Sequence, residues 1–539
     1  MKLTVSPFVL PLVATLLETA KGDDKFLSRK DLNVPQWNIT RYGDVKPSEG
    51  YIFVSPYATT ASQGGAYIYD QDGDLVWSGF SYFGGAPFNF QVFNETQFYA
   101  WEGSVNIRTG HGHGHFSFFD NSYQPIRQLH ALEHRLGDIH ELNIPKNSSS
   151  ALIEIFEPTD EYDLSPYGNG TWVNNAIIQD IDLETGELIF EWISLDHISP
   201  AESVLTLESG SAGVGHNSST AWDVFHFNSV DKNAEGDYLI SARHSSTIYK
   251  VSGKTGEVLW RYTTSSSLSN FTIIDNSAEL GVDPEYLKFG FQHHARFLTQ
   301  TPRGGKEIIK FFDNHAYSHG HTEAGHGSES SSVTSSGKIV ELDLTLGTAK
   351  VLEILLPPTD HPLLAKSQGS LQLLQNHHAV INWGSAGSIT EYDSHHNPIF
   401  HAALDAASDD VQNYRAFKYP RWVGHSPEKI ALFKQGSKVY ISWNGDTETK
   451  RWKLLTEGKE IGTFKRSKFE TIIDLPLEFQ DISTKSIEIQ ALSQDGEVLG
   501  SLNSSAGKDE EASPKGLLLG ALEEGFQNYF SWRAARIHD

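Results

Sequence analysis

Short alternating apolar runs, each interrupted by a polar turn, recur along the chain up to about residue 420. Each copy has a few alternating apolar residues, a turn rich in Asp, Gly or Asn, and a second apolar run that often ends in an aromatic residue. The copies lie at 67–77, 116–126, 177–192, 249–260, 340–352 and 389–400. Because side chains alternate between the two faces of a β-strand, each copy predicts a β-hairpin.

Six hairpins of this kind indicate six blades, so residues 50–425 are predicted to form a six-bladed β-propeller. After about Pro420 the pattern changes to strands such as KVYISW at 438–443, which favours a β-sandwich of the immunoglobulin or fibronectin type over 426–505. The predicted class is all-β, with an N-terminal segment at 21–49. The His-, Gly- and Ser-rich stretch at 318–337 is expected to be an exposed loop, and the tail at 506–539 to pack on the sandwich.

The first residues have the form of a secretory signal. Lys2 precedes an apolar run through Leu17, and the small residues Thr19 and Ala20 follow, which predicts a signal peptide at 1–20. Seven N-x-S/T triplets begin at Asn38, Asn94, Asn147, Asn169, Asn217, Asn270 and Asn503. They are consistent with a secreted glycoprotein, extracellular or associated with the cell wall. No later apolar run reaches the ~18 residues of a spanning helix, so no membrane partner is expected.

Composition removes several classes of function. Lys and Arg number 42 against 68 for Asp and Glu, a net charge of -26, which repels phosphate backbones and makes nucleic acid an unfavourable partner. The chain has no cysteine, so a disulfide framework, a thiolate metal site and a cysteine nucleophile are all excluded. With 24 histidines, imidazole is the reactive group that stands out.

The segment WDVFHFNSVDKNAEGDYLISARHS carries the most specific arrangement. Alternation in its first strand places His226 and Asn228 on one face, and Arg243 can lie near them at the end of the returning strand. Imidazole, amide and guanidinium together form a cluster suited to binding an oxyanion. Taken alone, His226 and Asn228 fit better with side chains that satisfy hydrogen bonds inside the propeller. Arg243 and the segments described next shift the balance towards a site.

Further histidines recur once per predicted blade. FGFQHHARF carries His293 and His294, which a period of two directs to opposite faces, so one of them faces the channel. GDIHELNI supplies His140, and QNHHAVINWG repeats the paired form at His377 and His378. A propeller whose axis is lined by catalytic groups would use its histidines in this way.

The ordered set DIHEL, FHFNSV with SARH, and QHHA resembles the arylsulfotransferase family, especially its fungal secreted branch, over roughly residues 50–425. The resemblance implies sulfuryl transfer between phenols through a histidine, without a nucleotide donor. By it, His293 matches the transiently sulfurylated residue, and His226, Asn228, Arg243 and His140 match other active-site positions. His294 takes the place of His293 if the register shifts by one.

Elementary chemistry is consistent with these roles. A neutral imidazole, with a pKa of ~6.5, is a nucleophile near neutral pH, and a departing phenolate benefits from a proton, which we assign to His226 with His140 in support. Arg243 and Asn228 can donate hydrogen bonds to sulfuryl oxygens. His294, His377 and His378 are expected to line the substrate site, and the expected substrates are a small aryl sulfate and a phenol.

Two other motifs point elsewhere. The run HGHGH places His111, His113 and His115 on one face if extended, as a divalent-metal site would require, but its glycines favour a loop. The GKT tripeptide at 253–255 lacks the first glycine of a phosphate loop, since Ile248 stands in its place. No metal or other cofactor is therefore expected. A metal-dependent propeller hydrolase and an extracellular binding module remain the alternatives, and convergence of His and Arg at one channel mouth would favour an enzyme.

Overall fold

The computed structural model describes residues 25–57, 63–106, 109–145, 148–316, 333–404 and 411–503. The predicted signal peptide, the triplet at Asn147, most of the loop at 318–337 and the tail at 506–539 lie outside these ranges. The chain divides into two compact units. The first comprises Met1–Ala431 with Ser442–Glu448 and Lys468–Glu470, and the second comprises Leu432–Ile441, Thr449–Ser467 and Thr471–Asp539.

The described part of the chain is almost entirely β. The strands of the first unit are β1 (Trp37–Arg41), β2 (Tyr51–Tyr57), β3 (Tyr67–Asp70), β4 (Leu75–Ser78), β5 (Phe88–Asn94), β6 (Gln97–Asn106), β7 (His111–Asp120), β8 (Pro125–Leu129), β9 (Leu142–Asn143), β10 (Ser150–Thr159), β11 (Val173–Asp182), β12 (Leu188–Ile193), β13 (Phe227–Lys232), β14 (Tyr238–Ala242), β15 (Thr247–Val251), β16 (Val258–Thr263), β17 (Thr272–Ile273), β18 (His293–Phe297), β19 (Lys306–Asp313), β20 (Ser336–Asp343), β21 (Thr348–Leu355), β22 (Ser370–Leu373), β23 (Ala379–Asn382), β24 (Ser388–Tyr392), β25 (Pro398–Leu404) and β26 (Gln412–Tyr419).

The helices that the structure describes are short. One α-helix spans Ser277–Leu280, and 3-10 turns occur at Ser194–Asp196, Pro200–Glu202, Leu207–Ser209, Ser218–Thr220, Pro284–Leu287, Gly384–Ala386, Leu477–Phe479 and Thr484–Ser486. The all-β prediction is confirmed. Each of the six predicted hairpins is also present: β3 with β4, β7 with β8, β11 with β12, β15 with β16, β20 with β21 and β24 with β25.

The strands described in the first unit form six sheets, and we number them by their place in the chain. Sheet 1 has the order β26-β2-β3-β4, sheet 2 β5-β6-β7-β8, sheet 3 β12-β11-β10-β9 and sheet 4 β13-β14-β15-β16. Sheet 5 is β17-β21-β20-β19-β18, and sheet 6 is β1-β25-β24-β23-β22. Sheets 1 and 6 each combine strands from the two ends of this unit, since β26 joins β2 and β1 joins β25.

Each of the six sheets has one edge strand that faces the neighbouring sheets: β26, β5, β9, β13, β18 and β22. Strands of successive sheets touch through β26 and β5, β9 and β13, β13 and β18, β18 and β22, and β22 and β26. Sheets 2 and 3 meet where the side chains of Asn89 and Tyr99 donate to the carbonyl of Leu142. The contacts thus pass from sheet to sheet and return to the first. We call these six strands the inner strands.

Apolar side chains fill the space between adjacent sheets. Leu239 and Ile248 of sheet 4 pack with Phe311 and Val340 of sheet 5, all of them fully buried. Burial of such side chains stabilises each by about 1.5–3 kcal/mol relative to exposure. Both faces of a sheet lie against neighbouring sheets. The side chains that alternate along each strand therefore pack into two interfaces.

The second unit contributes the strands β27 (Ala431–Gln435), β28 (Lys438–Ser442), β29 (Arg451–Thr456), β30 (Lys459–Lys465), β31 (Glu470–Asp474), β32 (Ile487–Leu492) and β33 (Val498–Asn503), some of whose end residues belong to the first unit. They form a three-stranded sheet, β27-β28-β31, and a four-stranded sheet, β30-β29-β32-β33. The buried Trp452 of one sheet donates its indole N–H to Thr471 of the other at 3.0 Å. The immunoglobulin-like sandwich itself stays a prediction.

Candidate active site

The polar side chains of the candidate site share one position in the fold. His140 lies just before β9, His226 just before β13, His293 at the start of β18 and Gln368 just before β22. Each therefore stands at the start of an inner strand of a different sheet. His226 and Gln368 adopt left-handed backbone conformations, with φ of 47° and 64°. Non-glycine residues rarely adopt such angles, and strained backbone of this kind concentrates at functional sites.

His140 and His226 form the centre of the site. Their ring centroids lie 4.7 Å apart, and both residues are buried. Nδ1 of His140 is hydrogen-bonded to Asp138, and Nδ1 of His226 to Asp223 Oδ2 at 2.5 Å. Within the described chain neither Nε2 atom has a hydrogen-bond partner. Each carboxylate thus fixes the ring so that a free nitrogen points away from it.

Burial has the largest effect on the protonation of His226. It lowers the pKa of His226 to about 3, against the opposing attraction of Asp223. The same cause holds the pKa values of His244 and His293 well below the usual value of a histidine. At neutral pH these rings are neutral, and each has one nitrogen lone pair. That lone pair is free in His226 and accepts a hydrogen bond in His244 and His293.

His111 completes the cluster, although the sequence predicts a loop at HGHGH. That prediction is wrong, because the run begins strand β7. A Cβ on Gly112 would lie 2.7 Å from the Trp101 ring, and one on Gly114 would lie 2.0 Å from the carbonyl of Glu102. The glycines therefore allow Trp101 and β6 to approach closely rather than breaking the strand. His113 is exposed, and only His111 of the three histidines joins the site.

The His111 ring lies between the two carboxylates of the site. Its Nε2 donates to Asp223 Oδ2 at 2.8 Å, and its Nδ1 is 3.6 Å from Asp138 Oδ2. Burial alone would lower the pKa of His111, but Asp223 and Asp138 outweigh it and raise this pKa to about 10. His111 is therefore an imidazolium at neutral pH, and it offsets part of the negative charge beside His140 and His226.

Arg243 and His244 lie on the side of the site next to His226. Arg243 donates through Nη1 to His244 Nε2 at 2.7 Å and through Nη2 to the carbonyl of Lys366 at 3.2 Å. Its guanidinium lies over the Phe291 ring, 4.9 Å from the centroid. Nε of Arg243 is buried, and the described residues offer it no acceptor. Burial lowers the pKa of Arg243 to about 10, so the group stays cationic at neutral pH with its Nε–H unused.

His293 is held by hydrogen bonds on both ring nitrogens. Nδ1 donates to Asn314 Oδ1 at 2.6 Å and to the carbonyl of Phe291 at 3.0 Å, while Nε2 accepts the N–H of Gln368 at 3.1 Å. The tautomer is thus defined, with its lone pair on Nε2. The charge of Arg243 is the second cause, after burial, that lowers the pKa of His293, which is consistent with a position near the guanidinium.

The other predicted residues lie elsewhere. Asn228 is fully buried, and its amide donates to the carbonyl of Gln292 at 2.7 Å. His294 is buried, with its ring 5.6 Å from that of Phe417. His377 and His378 lie in the turn after β22, where His377 is exposed and His378 contacts Glu391 at 2.9 Å. The structure does not bring these four side chains into the cluster of His140 and His226.

A buried ion-pair network lies next to the histidines. Arg415 on β26 donates to Glu141 Oε1 at 2.7 Å and to the carbonyl of Asn228 at 2.6 Å, and Arg296 on β18 donates to Glu141 Oε2 at 2.6 Å. Arg415 also reaches Asn89 on β5 at 3.2 Å. Five of the six sheets thus meet at one guanidinium and one carboxylate, which fixes the spacing of the inner strands that carry the site.

Asp138, Asp223, His111, His244, Asn314 and Gln368 are the site residues that sequence reasoning missed. A signal for the first two was present, since Asp138 precedes His140 by two residues and Asp223 precedes His226 by three. An acidic residue so near a histidine can orient its ring. Asn314 and Gln368 carry no such signal, because they come from strands distant in sequence.

Three ligand nitrogens of His111, His140 and His226 lie within 4.8 Å of one another, as do those of His226 and His244 with a carboxylate oxygen of Asp223. Histidines backed by carboxylates are the ligands that zinc and related metals take. The charges of the site also balance without a metal, because the cations His111 and Arg243 match the carboxylates of Asp138 and Asp223. A divalent ion on the three histidines would have to displace the proton of His111.

The charge on His111 predicts a pH effect on stability. Because the folded pKa of His111 is raised, its ion pairs stabilise the fold fully below pH ~6.5, and this contribution is lost as the pH rises towards 10. Each unit of pKa shift corresponds to about 1.4 kcal/mol. We expect wild type to exceed His111→Gln in melting temperature at about pH 6, and the gap to narrow by about pH 10. Calorimetry of both proteins at several pH values measures this, and a gap that does not depend on pH would contradict it.

Comparison with known proteins identifies the family. The chain belongs to the arylsulfotransferase (ASST) family, whose model matches residues 91–405, more than half of the chain. The match contains His111, His140, His226, Arg243 and His293. Membership supports an arylsulfotransferase-like activity on small aryl substrates in general. A comparison with curated proteins finds no match.

Solved structures are similar only at low levels. A protein of unknown function from Bacteroides caccae is 10% identical with a TM-score of 0.38, and the alignment covers 70% of this chain and 100% of that one. TolB from Acinetobacter baumannii is 12% identical (68% and 67% covered, TM-score 0.31). A catalytically inactive virginiamycin B lyase from Staphylococcus aureus is 7% identical (76% and 97% covered, TM-score 0.29). At these scores the similarity supports no conclusion about fold or function.

Across the described ranges, no helix is both long enough and apolar enough to cross a membrane.

Proposed function

We propose that this chain is a secreted enzyme that moves a sulfuryl group from an aryl sulfate to a phenolic acceptor through a sulfohistidine, without a nucleotide donor. Family membership supports the reaction class. We further propose that the six sheets are the blades of a propeller, that the second unit is a β-sandwich, and that the site lies at one end of the inner strands. The secretory signal and the six exposed N-x-S/T asparagines of the described chain support a secreted glycoprotein.

One observation carries the proposal: neutral imidazoles converge with the half-buried guanidinium of Arg243, whose buried Nε–H has no acceptor among the described residues. An unpaired buried donor costs about 1–3 kcal/mol unless a ligand satisfies it. Arg243 Nε is such a donor, and a sulfuryl oxygen is a suitable acceptor for it. The His226 ring contacts both the His140 ring and the ring of His244, which Arg243 binds, and Nδ1 of His140 and of His226 is held by a carboxylate. This combination suits a tetrahedral anion whose bonds are made and broken at nitrogen and oxygen.

In the first half-reaction we assign the nucleophile to His293. Its Nε2 attacks sulfur, the N–S bond forms, and the bond from sulfur to the phenolic oxygen breaks. The aryl oxygen leaves with the electron pair and takes a proton that His226 Nε2 relays from solvent, because that ring is neutral in the free enzyme. The N–H of Gln368, which holds Nε2 in the free enzyme, is then placed to donate to a sulfuryl oxygen. Arg243 Nε stabilises the same group.

In the second half-reaction the acceptor phenol loses its proton to His226 Nε2. The phenolic oxygen forms the new bond to sulfur, and the N–S bond to His293 breaks. A ring whose pKa is about 3 in the free enzyme suits this role as a base, because it begins neutral. Asp223 stabilises the imidazolium that forms, as it accepts from Nδ1 throughout. His140, whose ring is oriented by Asp138, assists His226 in moving the proton to the departing phenolic oxygen or from the arriving one.

A metal-dependent hydrolase is the second candidate, and the grouping of His111, His140 and His226 favours it. In that case the three histidines would hold a zinc-like ion that activates water against an ester. The ion pairs of His111 with Asp138 and Asp223 weigh against it, since a protonated imidazole does not bind a metal.

The deciding experiment is a transfer assay with purified protein, 4-nitrophenyl sulfate and phenol, with and without a chelator. We expect release of 4-nitrophenol coupled to formation of phenyl sulfate, at a rate that the chelator does not change. Release without phenyl sulfate, lost on chelation and restored by zinc, would establish the hydrolase instead. If neither transfer nor hydrolysis occurs, the binding-module alternative takes their place.

A further inference from the structure

A cavity of about 630 Å³ lies next to the chain segment that follows Arg243. Its wall includes Ser245 and Ser246, which follow Arg243 and His244 directly in the chain. Phe291 also lines it, and the Phe291 ring is the one that Arg243 covers. The cavity therefore adjoins the wall of the site at Phe291, and its volume is in the range of small-molecule pockets.

Residues with hydroxyl side chains make up half of the lining of this cavity. They are Ser203, Ser245, Ser246, Thr263, Thr264, Ser265 and Ser267, with apolar contacts from Leu205, Leu268, Phe289 and Phe291. The one carboxylate in the lining, Glu202, is bonded to Arg261 at 3.0 Å and to the Tyr249 hydroxyl at 3.0 Å. The lining thus presents uncharged hydrogen-bond donors and acceptors together with the aromatic rings of Phe289 and Phe291. Its one carboxylate, Glu202, already has hydrogen-bond partners.

Ser246 links the cavity to the reacting groups. Its hydroxyl accepts the N–H of Phe291 at 3.2 Å, which leaves the hydroxyl proton without an acceptor among the described residues. The carbonyl of the same Phe291 accepts from His293 Nδ1 at 3.0 Å. Ser246 is 7% exposed and has a left-handed backbone, with φ of 48°. The buried hydroxyl of Ser246 thus lines the cavity, and the residue that it binds, Phe291, also binds the proposed nucleophile His293.

We propose that this cavity is the acceptor subsite and that it selects phenols carrying a hydroxyl-rich substituent, such as a phenolic glycoside. The inference rests on the proposed sulfuryl transfer. The reacting hydroxyl lies towards His226 and Arg243, and the substituent occupies the cavity. Serine and threonine hydroxyls exchange hydrogen bonds with the substituent, and Phe291 packs against the organic part. A small donor such as 4-nitrophenyl sulfate needs no group in the cavity, so donor use and acceptor choice are separable.

The test compares two acceptors, phenol and 4-hydroxyphenyl glucoside, with 4-nitrophenyl sulfate as donor. Ala201 lies at the exposed rim of the cavity, and Ala201→Trp narrows the space without touching the histidines. Ala234 is exposed in the turn between β13 and β14, so Ala234→Trp is the matched control. We expect wild type to favour the glucoside over phenol by about 10-fold or more in kcat/KM. Ala201→Trp removes that preference and leaves phenol sulfation unchanged, whereas Ala234→Trp keeps the preference.

Other outcomes overturn the subsite. Equal kcat/KM for both acceptors in wild type, an unchanged preference in Ala201→Trp, or an equal loss for both acceptors would each do so. If wild type sulfates no acceptor, the proposed function fails, and calorimetric binding of 4-hydroxyphenyl glucoside then decides the subsite alone. Binding that Ala201→Trp removes and Ala234→Trp keeps supports it, and no binding to wild type rejects it.

Discussion

His293→Ala should lower the rate of sulfuryl transfer from 4-nitrophenyl sulfate by about 10³-fold or more, because the variant lacks the nitrogen that carries the group between the half-reactions. Wild type incubated with donor alone should gain the mass of one sulfuryl group on the peptide that contains His293. The variant should gain none. Rapid quenching at alkaline pH followed by mass spectrometry measures both, since the N–S bond is labile in acid.

His216→Ala is the control, because His216 is exposed and lies outside the site. It should keep the activity and the modified peptide of wild type. Fragment ions separate His293 from His294, which are adjacent. A sulfuryl group found on His226 would transfer the nucleophile role to that ring, whose Nε2 is free without any rearrangement of Gln368. Full activity in His293→Ala would remove the sulfohistidine assignment for this residue.

Arg415→Met should destabilise the first unit by about 3–5 kcal/mol, because it leaves Glu141 buried beside a single remaining cation. Arg415 is 1% exposed and Glu141 is fully buried, so water cannot replace the lost guanidinium. Arg296 keeps one hydrogen bond to Glu141, which limits the loss. Denaturant unfolding followed by tryptophan fluorescence, or calorimetry where unfolding is irreversible, measures the change.

Arg41→Met is the matched control on the same unit. Arg41 bonds Asp72 at 2.9 Å with both side chains about half exposed, and such a surface pair contributes about 1 kcal/mol at most. Loss of stability in Arg415→Met no larger than in Arg41→Met would show that the central network does not hold the sheets together. The double variant Arg415→Met with Glu141→Gln should recover part of the loss, because the unpaired charge is then removed.

The hairpins could be predicted from sequence because each depends on local alternation and on a turn a few residues long. The turn at Asp70 illustrates this, since its carboxylate accepts the backbone N–H groups of Asp72 and Asp74. Such a pattern is complete within about ten residues. The hairpins are extended into sheets by β1 and β26 through pairings hundreds of residues apart, and by β17 through a pairing 76 residues apart. Local alternation does not contain these pairings.

HGHGH was misassigned because glycine has two uses that a local pattern does not separate. Glycine often breaks a strand, and here it makes room for a tryptophan ring on the neighbouring strand. The partner that decides between these uses, Trp101, lies in β6 and is not marked by the motif. His111 was therefore set aside, although it bridges the two site carboxylates.

The site itself could be predicted in part. His140, His226, Arg243 and His293 were singled out, and the structure places the first two in ring contact and Arg243 against His244. The assignment of Asn228 as a donor to substrate depended on strict alternation from His226, but the backbone of His226 is left-handed and the pairing of β13 with β14 shifts after Phe227. Local irregularities of this kind redirect side chains and leave no trace in the hydrophobic pattern.

The pairing of Glu141 with Arg415 has a consequence for biosynthesis. The two residues are 274 positions apart, and β26, which carries Arg415, is the last strand of its unit to leave the ribosome. Until then β2 lacks one of its two neighbouring strands, and Glu141 lacks one of its two cations. Separate hairpins can form during translation, but the geometry around the histidines must await nearly the whole polypeptide. A nascent chain stalled before residue 412 would therefore be a natural client for chaperones that shield unpaired strand edges.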